Sequence, residues 1–458
     1  MILKKQLQNS RIRDCCKKIS DKKIFLLFFL LILILFSVRV SISHEGVGSD
    51  GVLHFIITRS LVFDQDVNVE NEYEYYRTVP TYFTGRPKVN DPQTELKTEK
   101  GMISIVAPLG IDLLLIPFFI AGHGLALLIV FLGGNVTLNG LTWPYEYLFG
   151  IGSIVFGMLG MYVMYQFTRR YFSRFISLIS VFSLFFASSL FFYSALQPSV
   201  SHFMSMAFVI FFIVKWFSPK NRVQDWINLG ILAGFMVMIR WQNALFLLIV
   251  AYDGIEGLLT SSNMKNALHH ILKYALFGLF TLISFFPQMI FWKIRHGSFL
   301  TLPQGQGFMT WFDPHLLGIL FSSRNGLFYF SPLILFAVLG LFFFYKSHKK
   351  LTIYLIIMFL LQIYINSVVS DWWHGDAFGP RRFINCTLIF VLGLSALLQS
   401  LEKKVSMKWI YGILFVFVLW NMIILMQYLT GLITLGIPNT YTSLIKNIPN
   451  LCSKFLKL

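Results

Sequence analysis

The chain has 458 residues, of which 56% are apolar, 17% aromatic and 13% charged, whereas an ordinary soluble domain carries about 25% charged residues. That excludes a water-soluble globule and puts the chain in the membrane class, where spans are counted before domains. The formal charge of +17 arises from 38 basic against 21 acidic residues. The basic residues sit in short clusters between apolar runs, not along one face, which is a membrane pattern and not that of a nucleic-acid binder.

A basic segment from Lys4 to Lys23, containing Arg11, Arg13, Lys17 and Lys18, precedes the apolar run 24–42. Its length, and the apolar segments that follow, read as an uncleaved anchor and not a secretory signal. At about 20 residues per spanning helix, further spans are expected at 145–167, 175–195, 199–217, 226–240, 242–258, 270–292, 327–345, 351–370, 382–401 and 408–429. The pair 226–240 and 242–258 could equally be one long kinked helix. The stretch 103–121 is broken by Pro108, Gly110, Asp112 and Pro117. Charge places it in the plane of the membrane on the outer side, because Arg169, Arg170 and Arg174 then join the other basic clusters in the cytoplasm. The expected fold is an all-α polytopic membrane protein of about eleven transmembrane helices, with the N-terminus inside and in-plane juxtamembrane helices in a first outer loop at 43–144. Residues 1–430 form the membrane domain and 431–458 a short outer tail. The four cysteines, Cys15, Cys16, Cys386 and Cys452, set no disulfide framework or metal spacing.

Polar residues concentrate in the outer segments, so chemistry is expected there. From Asp50 to Phe63 the pattern suits an amphipathic helix lying on the membrane, with Ser49 as its cap. Asp50, His54 and Thr58 share one face, and Val52, Ile56 and Phe63 another. Asp50 either caps a surface helix or is an acceptor-only carboxylate held at the water–lipid boundary. Arg240 lies between two apolar segments; mid-span it would cost roughly 2.5–3.5 kcal/mol, so it belongs at an outer turn, snorkelling or facing an anion. The run Asp371-Trp372-Trp373-His374-Gly375-Asp376-Ala377-Phe378-Gly379-Pro380-Arg381-Arg382 is the densest polar cluster. Tryptophans there suit an aromatic belt, but an adjacent arginine pair opposes the charge bias, and guanidinium forks recognise phosphate bidentately. Residues 297–315, with Gln304 and Trp311, combine amides and flat rings that suit either a sugar or a plain interfacial loop.

These pieces resemble the GT-C superfamily of membrane glycosyltransferases, in particular the protein mannosyltransferase (family 39) and aminoarabinose transferase type. The resemblance is carried by Ser49-Asp50-Gly51, Arg59-Ser60-Leu61, Asp64-Gln65-Asp66 and Asn71-Glu72-Tyr73. It continues through Ala107-Pro108-Leu109-Gly110, Leu115-Ile116-Pro117-Phe118-Phe119, Gln197-Pro198-Ser199 and the run Asp371 to Arg382. It implies transfer of a sugar from a polyprenyl-phosphate donor to a lipid, glycan or protein acceptor at the outer face of a bacterial cytoplasmic membrane, with no cofactor. Asp50 is implied as general base in a single, inverting displacement. Arg381, Arg382 and Arg240 are implied to hold the donor phosphate, and His54, Asp371, Trp372, Trp373, His374, Gln304 and Trp311 to line the substrate site. Two departures stand out: the superfamily's acidic motif often has two carboxylates where Asp50 stands alone, and His54 occupies a position that is often aromatic. No ligand set for a metal stands out, so metal dependence is left open. A transporter or flippase of a lipid-linked saccharide is the alternative, and a noncatalytic partner in envelope synthesis a third; no clear repeat and few carboxylates within spans favour the enzyme.

Overall fold

The computed structural model describes residues 19–81, 87–90, 93 and 95–455; the basic cluster Lys4 to Lys18 and Cys15 and Cys16 lie outside them. The protein is an all-α polytopic membrane protein. Its helices are α1 (Asp21–Ser43), α2 (Asp50–Arg59), α3 (Glu70–Tyr76), α4 (Gly110–Phe131), α5 (Trp143–Thr168), α6 (Arg174–Phe186), α7 (His202–Trp216), α8 (Val223–Ile239) and α9 (Leu248–Leu259). They continue with α10 (Met264–His296), α11 (Leu316–Phe321), α12 (Leu327–Phe330), α13 (Pro332–Ser347), α14 (Lys349–Ser367), α15 (Thr387–Glu402), α16 (Met407–Leu429), α17 (Tyr441–Lys446) and α18 (Ile448–Phe455). Among the described residues, eight helical segments are long and apolar enough to cross a membrane, and α6, α7, α8 and α13 are shorter apolar helices.

Each expected span has its helix. The question at 226–258 resolves as two pieces: α8 stops at Arg240, whose backbone is extended (φ −153°, ψ 123°), and a 3-10 turn, Trp241–Leu247, leads into α9. The span expected at 175–195 stops earlier, at Phe186, and the chain continues through irregular backbone and a π turn at Phe192–Leu196.

The two ends of the bundle are told apart by their ion pairs. At one end Asp21 accepts from Tyr165 Oη (2.7 Å) and Arg174 Nε (2.5 Å). Tyr171 packs on Phe344, Lys215 meets Asp225 at 2.7 Å and Lys350 meets Glu256 at 2.5 Å. Arg174, Lys215 and Lys350, from three of the basic clusters assigned to the cytoplasm by charge, thus share this end. At the other end Glu146 accepts from the backbone N–H of Gly46 (2.8 Å) and Val47 (3.2 Å), from Tyr76 Oη (2.7 Å) and from Lys88 Nζ (3.1 Å). A buried carboxylate saturated in this way nails the segment leading to Asp50 onto the head of α5.

The stretch expected at 103–121 differs in extent. Residues 103–109 are not helical, and α4 begins at Gly110 and runs on to Phe131. By length and composition it is apolar enough to cross a membrane, against the in-plane placement expected, and its contacts follow α5 from Tyr145 to Phe156. Leu115 and Phe118 lie at Gly152, Phe118 meets Phe156, and Gly122 lies at Tyr145, while Gly110 abuts Met238 and Ile239. α4 therefore climbs from the level of the Arg240 turn along the near half of α5. The far half packs instead on α1 and α7, through Tyr162 and Tyr165 with Phe25 and Gly160 with Ala207.

Candidate active site

The site forms where helices end. Asp50 opens α2, and the cap expected from Ser49 is absent: Ser49 has φ 52° and its side chain makes no capping bond. α2 is set by tertiary contact instead. Gly51 lies so close to the 197–201 turn that a Cβ there would stand 2.8 Å from Ser199 Cβ. This contact and the Glu146 anchor fix where the Asp50 carboxylate points.

Asp50 Oδ2 accepts from Arg381 Nη1 at 2.6 Å, across 331 positions of sequence. Its side chain is half exposed (49%) while that of Arg381 is 13% exposed, so the carboxylate opens on one side to a reactant. Burial pushes the Asp50 carboxyl up, but the Arg381, Arg240 and His54 charges and the Arg381 hydrogen bond outweigh it and hold it below its usual range. Arg382 is bound differently: its Nη2 donates to both carboxylate oxygens of Asp371 at 2.6 Å and its Nη1 to the Asp371 carbonyl at 3.1 Å. Arg240 donates to neutral groups, Ser201 Oγ (2.9 Å) and Gln242 Oε1 (3.1 Å), and its buried Nε has no partner.

A ladder of amides couples these arginines from behind. Gln242 Nε2 donates to the Arg382 carbonyl (2.9 Å) and to Gln362 Oε1 (3.2 Å). Gln362 Nε2 returns a bond to the Gln242 carbonyl (3.0 Å), and Asn385 Nδ2 bridges to Asn243 (3.0 Å). The turn after α8 and the 3-10 turn Arg381–Cys386 before α15 are thereby held in one register.

The remaining predicted residues divide. His374 is fully buried with φ 72°, and neither ring nitrogen has a partner; burial and the charges of Arg382, Arg381 and Arg240 hold its pKa well below the ordinary histidine value. Trp373 lies under the Arg324 guanidinium (3.9 Å), and Trp372 stacks on His315 (5.2 Å). Trp311 is 49% exposed, on the loop whose Met309 pairs with Val369. Gln304 belongs to the same loop, its Oε1 buried without a partner. No hydrogen bond joins either to Asp50. His54 and Thr58 share a face as expected, but that face is not solvated: they are 2% and 0% exposed, because α4 lays Asp112 against them. His54 Nδ1 lies 2.7 Å from Asp112 Oδ1, and Thr58 Oγ1 donates to the Asp112 carbonyl (3.3 Å).

Sequence reasoning missed Tyr193, whose Oη accepts from the Phe378 N–H (3.1 Å), and His202, packed on Tyr193 with its Nε2 buried and unpartnered. Both lie within expected spans, and only the break after Phe186 brings them to the site. Among the described residues no three His, Cys, Asp or Glu side chains come together as a metal cage. The arrangement thus offers one half-exposed carboxylate beside three guanidiniums and two buried imidazoles with unpartnered ring nitrogens, which suits an anion with several acceptor oxygens.

Residues 148–292 match the family described as dolichyl-phosphate-mannose-protein mannosyltransferase. No curated protein matches the chain. Two solved structures of ArnT from Cupriavidus metallidurans, one in the apo state and one bound to undecaprenyl phosphate, are each similar at 15% identity with a TM-score of 0.49. Each comparison covers 89% of this chain and 64% of the ArnT chain, so the protein spans 64% of that length.

Proposed function

From the family match over residues 148–292 and the geometry of the site, we propose that the chain is an integral-membrane glycosyltransferase of the GT-C type. It moves a sugar from a polyprenyl-phosphate donor to an acceptor hydroxyl at the outer face of a bacterial cytoplasmic membrane. The observation that carries this reading is the 2.6 Å contact of Asp50 with Arg381, inside a cluster that also holds Arg240 and Arg382.

In this reading Asp50 orients the acceptor hydroxyl and accepts its proton as the acceptor oxygen attacks the anomeric carbon. The bond from that carbon to the phosphate oxygen breaks, and its electron pair leaves with the phosphate. Charge on the phosphate grows along this path, so preorganised guanidiniums stabilise the transition state more than the ground state. Arg381 and Arg240 face that charge, and Arg382, clamped by Asp371, shapes the pocket. A single displacement inverts the anomeric centre. The acceptor is a lipid, glycan or protein hydroxyl.

The test is incubation of the purified protein with a panel of polyprenyl-phosphate sugars, wild type against Asp50→Asn. Transfer or hydrolysis of at least one donor, lost in the variant, is expected. Donor turnover that survives in the variant removes Asp50 from the chemistry, and silence across a broad panel favours a transporter of lipid-linked saccharide.

A further inference from the structure

We propose that the Asp50–Arg381 ion pair is the resting form of the site and that the donor phosphate exchanges it, taking the Arg381 guanidinium and releasing Asp50 as a free carboxylate. This rests on the reading of the site as one for a polyprenyl-phosphate sugar.

Asp50 has a single hydrogen-bond partner among the described residues, Arg381 Nη1. The Arg381 guanidinium in turn is held, among the described residues, by that bond alone, whereas Arg382 is locked by three bonds to Asp371. Arg240 has no carboxylate within bonding distance and a buried Nε without a partner. Around them His202 Nε2 and both ring nitrogens of His374 are buried and unpartnered, in side chains 2% and 0% exposed. Three guanidiniums facing two carboxylates leave one positive charge unmatched, with more donors than acceptors. Buried donors left in this state cost free energy until an acceptor arrives.

A phosphate supplies those acceptor oxygens. Seated between Arg240 and Arg381, it brings its own negative charge next to Asp50, and two anions then compete for one singly held guanidinium. The phosphate has Arg240 as a second anchor. The carboxylate has none and is half exposed, so it is the group that yields. The groups facing Asp50 are Arg381, Arg240 and His54, with Tyr193, Asp371 and Arg382 beyond them. Exchange removes the strongest cation from this set and adds an anion, so the carboxylate becomes more basic. The base is thereby switched on only when the leaving group is in place: the hydroxyl proton passes to Asp50 as the carbon–phosphate oxygen bond breaks, and the phosphate departs holding Arg381 and Arg240.

The test is the affinity of the full chain for undecaprenyl phosphate, in nanodiscs of neutral phosphatidylcholine between pH 5 and 8, with inorganic phosphate alongside. Asp50→Asn is expected to bind the lipid phosphate roughly tenfold more tightly than wild type, between the worth of a surface pair and that of a buried one, while losing sugar transfer. Relative to the variant, whose affinity follows only the second ionisation of the phosphate monoester at about pH 6, wild-type affinity is expected to gain as pH falls. Proton uptake by the wild type beyond that of the lipid phosphate's own second ionisation, from calorimetry in two buffers of different ionisation enthalpy, reports the same exchange if the variant folds poorly. Equal or weaker binding by Asp50→Asn, or no proton uptake by the wild type beyond that of the lipid phosphate, overturns the exchange but leaves the donor site standing. A gain confined to inorganic phosphate overturns the assignment to the lipid. If neither protein binds the lipid phosphate, the reading of the site falls as well.

Discussion

Replacing Gln242 by leucine tests whether the arginines work as one unit. The Gln242 amide receives Arg240 Nη2 at 3.1 Å and donates to the Arg382 carbonyl at 2.9 Å. Leucine fills similar space but does neither, so Arg240 Nη2 joins Nε as an unpartnered donor and the Arg382 carbonyl loses a donor. A buried group stripped of its partner costs about 1–3 kcal/mol. Felt in the donor complex, that range corresponds to a Kd for undecaprenyl phosphate raised from a few-fold to roughly 150-fold. Because the same guanidiniums also stabilise the departing phosphate, kcat should fall together with the rise in donor KM. Calorimetric titration in nanodiscs and steady-state kinetics at saturating acceptor measure the two parts. No change in either would refute a ladder that positions the phosphate clamp.

Other consequences can be checked separately. Glu72, with a side chain 0% exposed, pairs with Arg59 (2.9 Å) and keeps Oε2 unpartnered; burial pushes its carboxyl up to about 7 despite the Arg59 bond. Its folded pKa lies above the unfolded one, so its contribution is complete below about pH 4.5 and is lost as pH rises through about 7. Glu72→Gln should therefore gain in thermal stability relative to wild type above pH 7, and a pH-independent difference would contradict this. Gly51→Ala drives a Cβ toward Ser199 and should cost about 1–3 kcal/mol by overpacking, with sugar transfer reduced; Ser199→Gly in the same chain should restore part of both. Asp112→Ala strands His54 Nδ1 in a buried site and should cost about 1–3 kcal/mol in thermal unfolding, whereas Asp112→Asn retains an acceptor and should cost less.

The membrane class, the apolar spans and the positions of Asp50, Arg240 and the Arg381–Arg382 pair at the ends of helices were legible because apolar run length and local charge are properties of short windows. The Arg240 break could be read from one charged residue between two apolar runs. His54 and Thr58 were misplaced on a wet face because the partner that buries them, Asp112, arrives from 58 positions along the chain. A pattern that is amphipathic in isolation does not say what covers its polar side. Ser49 had the chemistry of a cap, but Gly51 against Ser199 fixes the backbone before it. Tyr193 and His202 were hidden for the opposite reason: they sit in apolar runs that look continuous, and hydropathy averages over the break at Ala187. The Glu146 network depends on Lys88 and Tyr76 from the long loop, whose course no periodicity discloses.

The short helices beside the site have a consequence for the lipid around them. α7 and α13 have 15 and 16 residues, about 22–24 Å of rise, against a hydrocarbon slab of about 30 Å. α6 is shorter still at 13 residues, whereas α10 has 33. Such hydrophobic mismatch is met by local thinning or by water entering at the short ends. Under the proposed function, a bilayer thinned beside these helices would let a phosphate headgroup reach the arginines without first being dragged into oil.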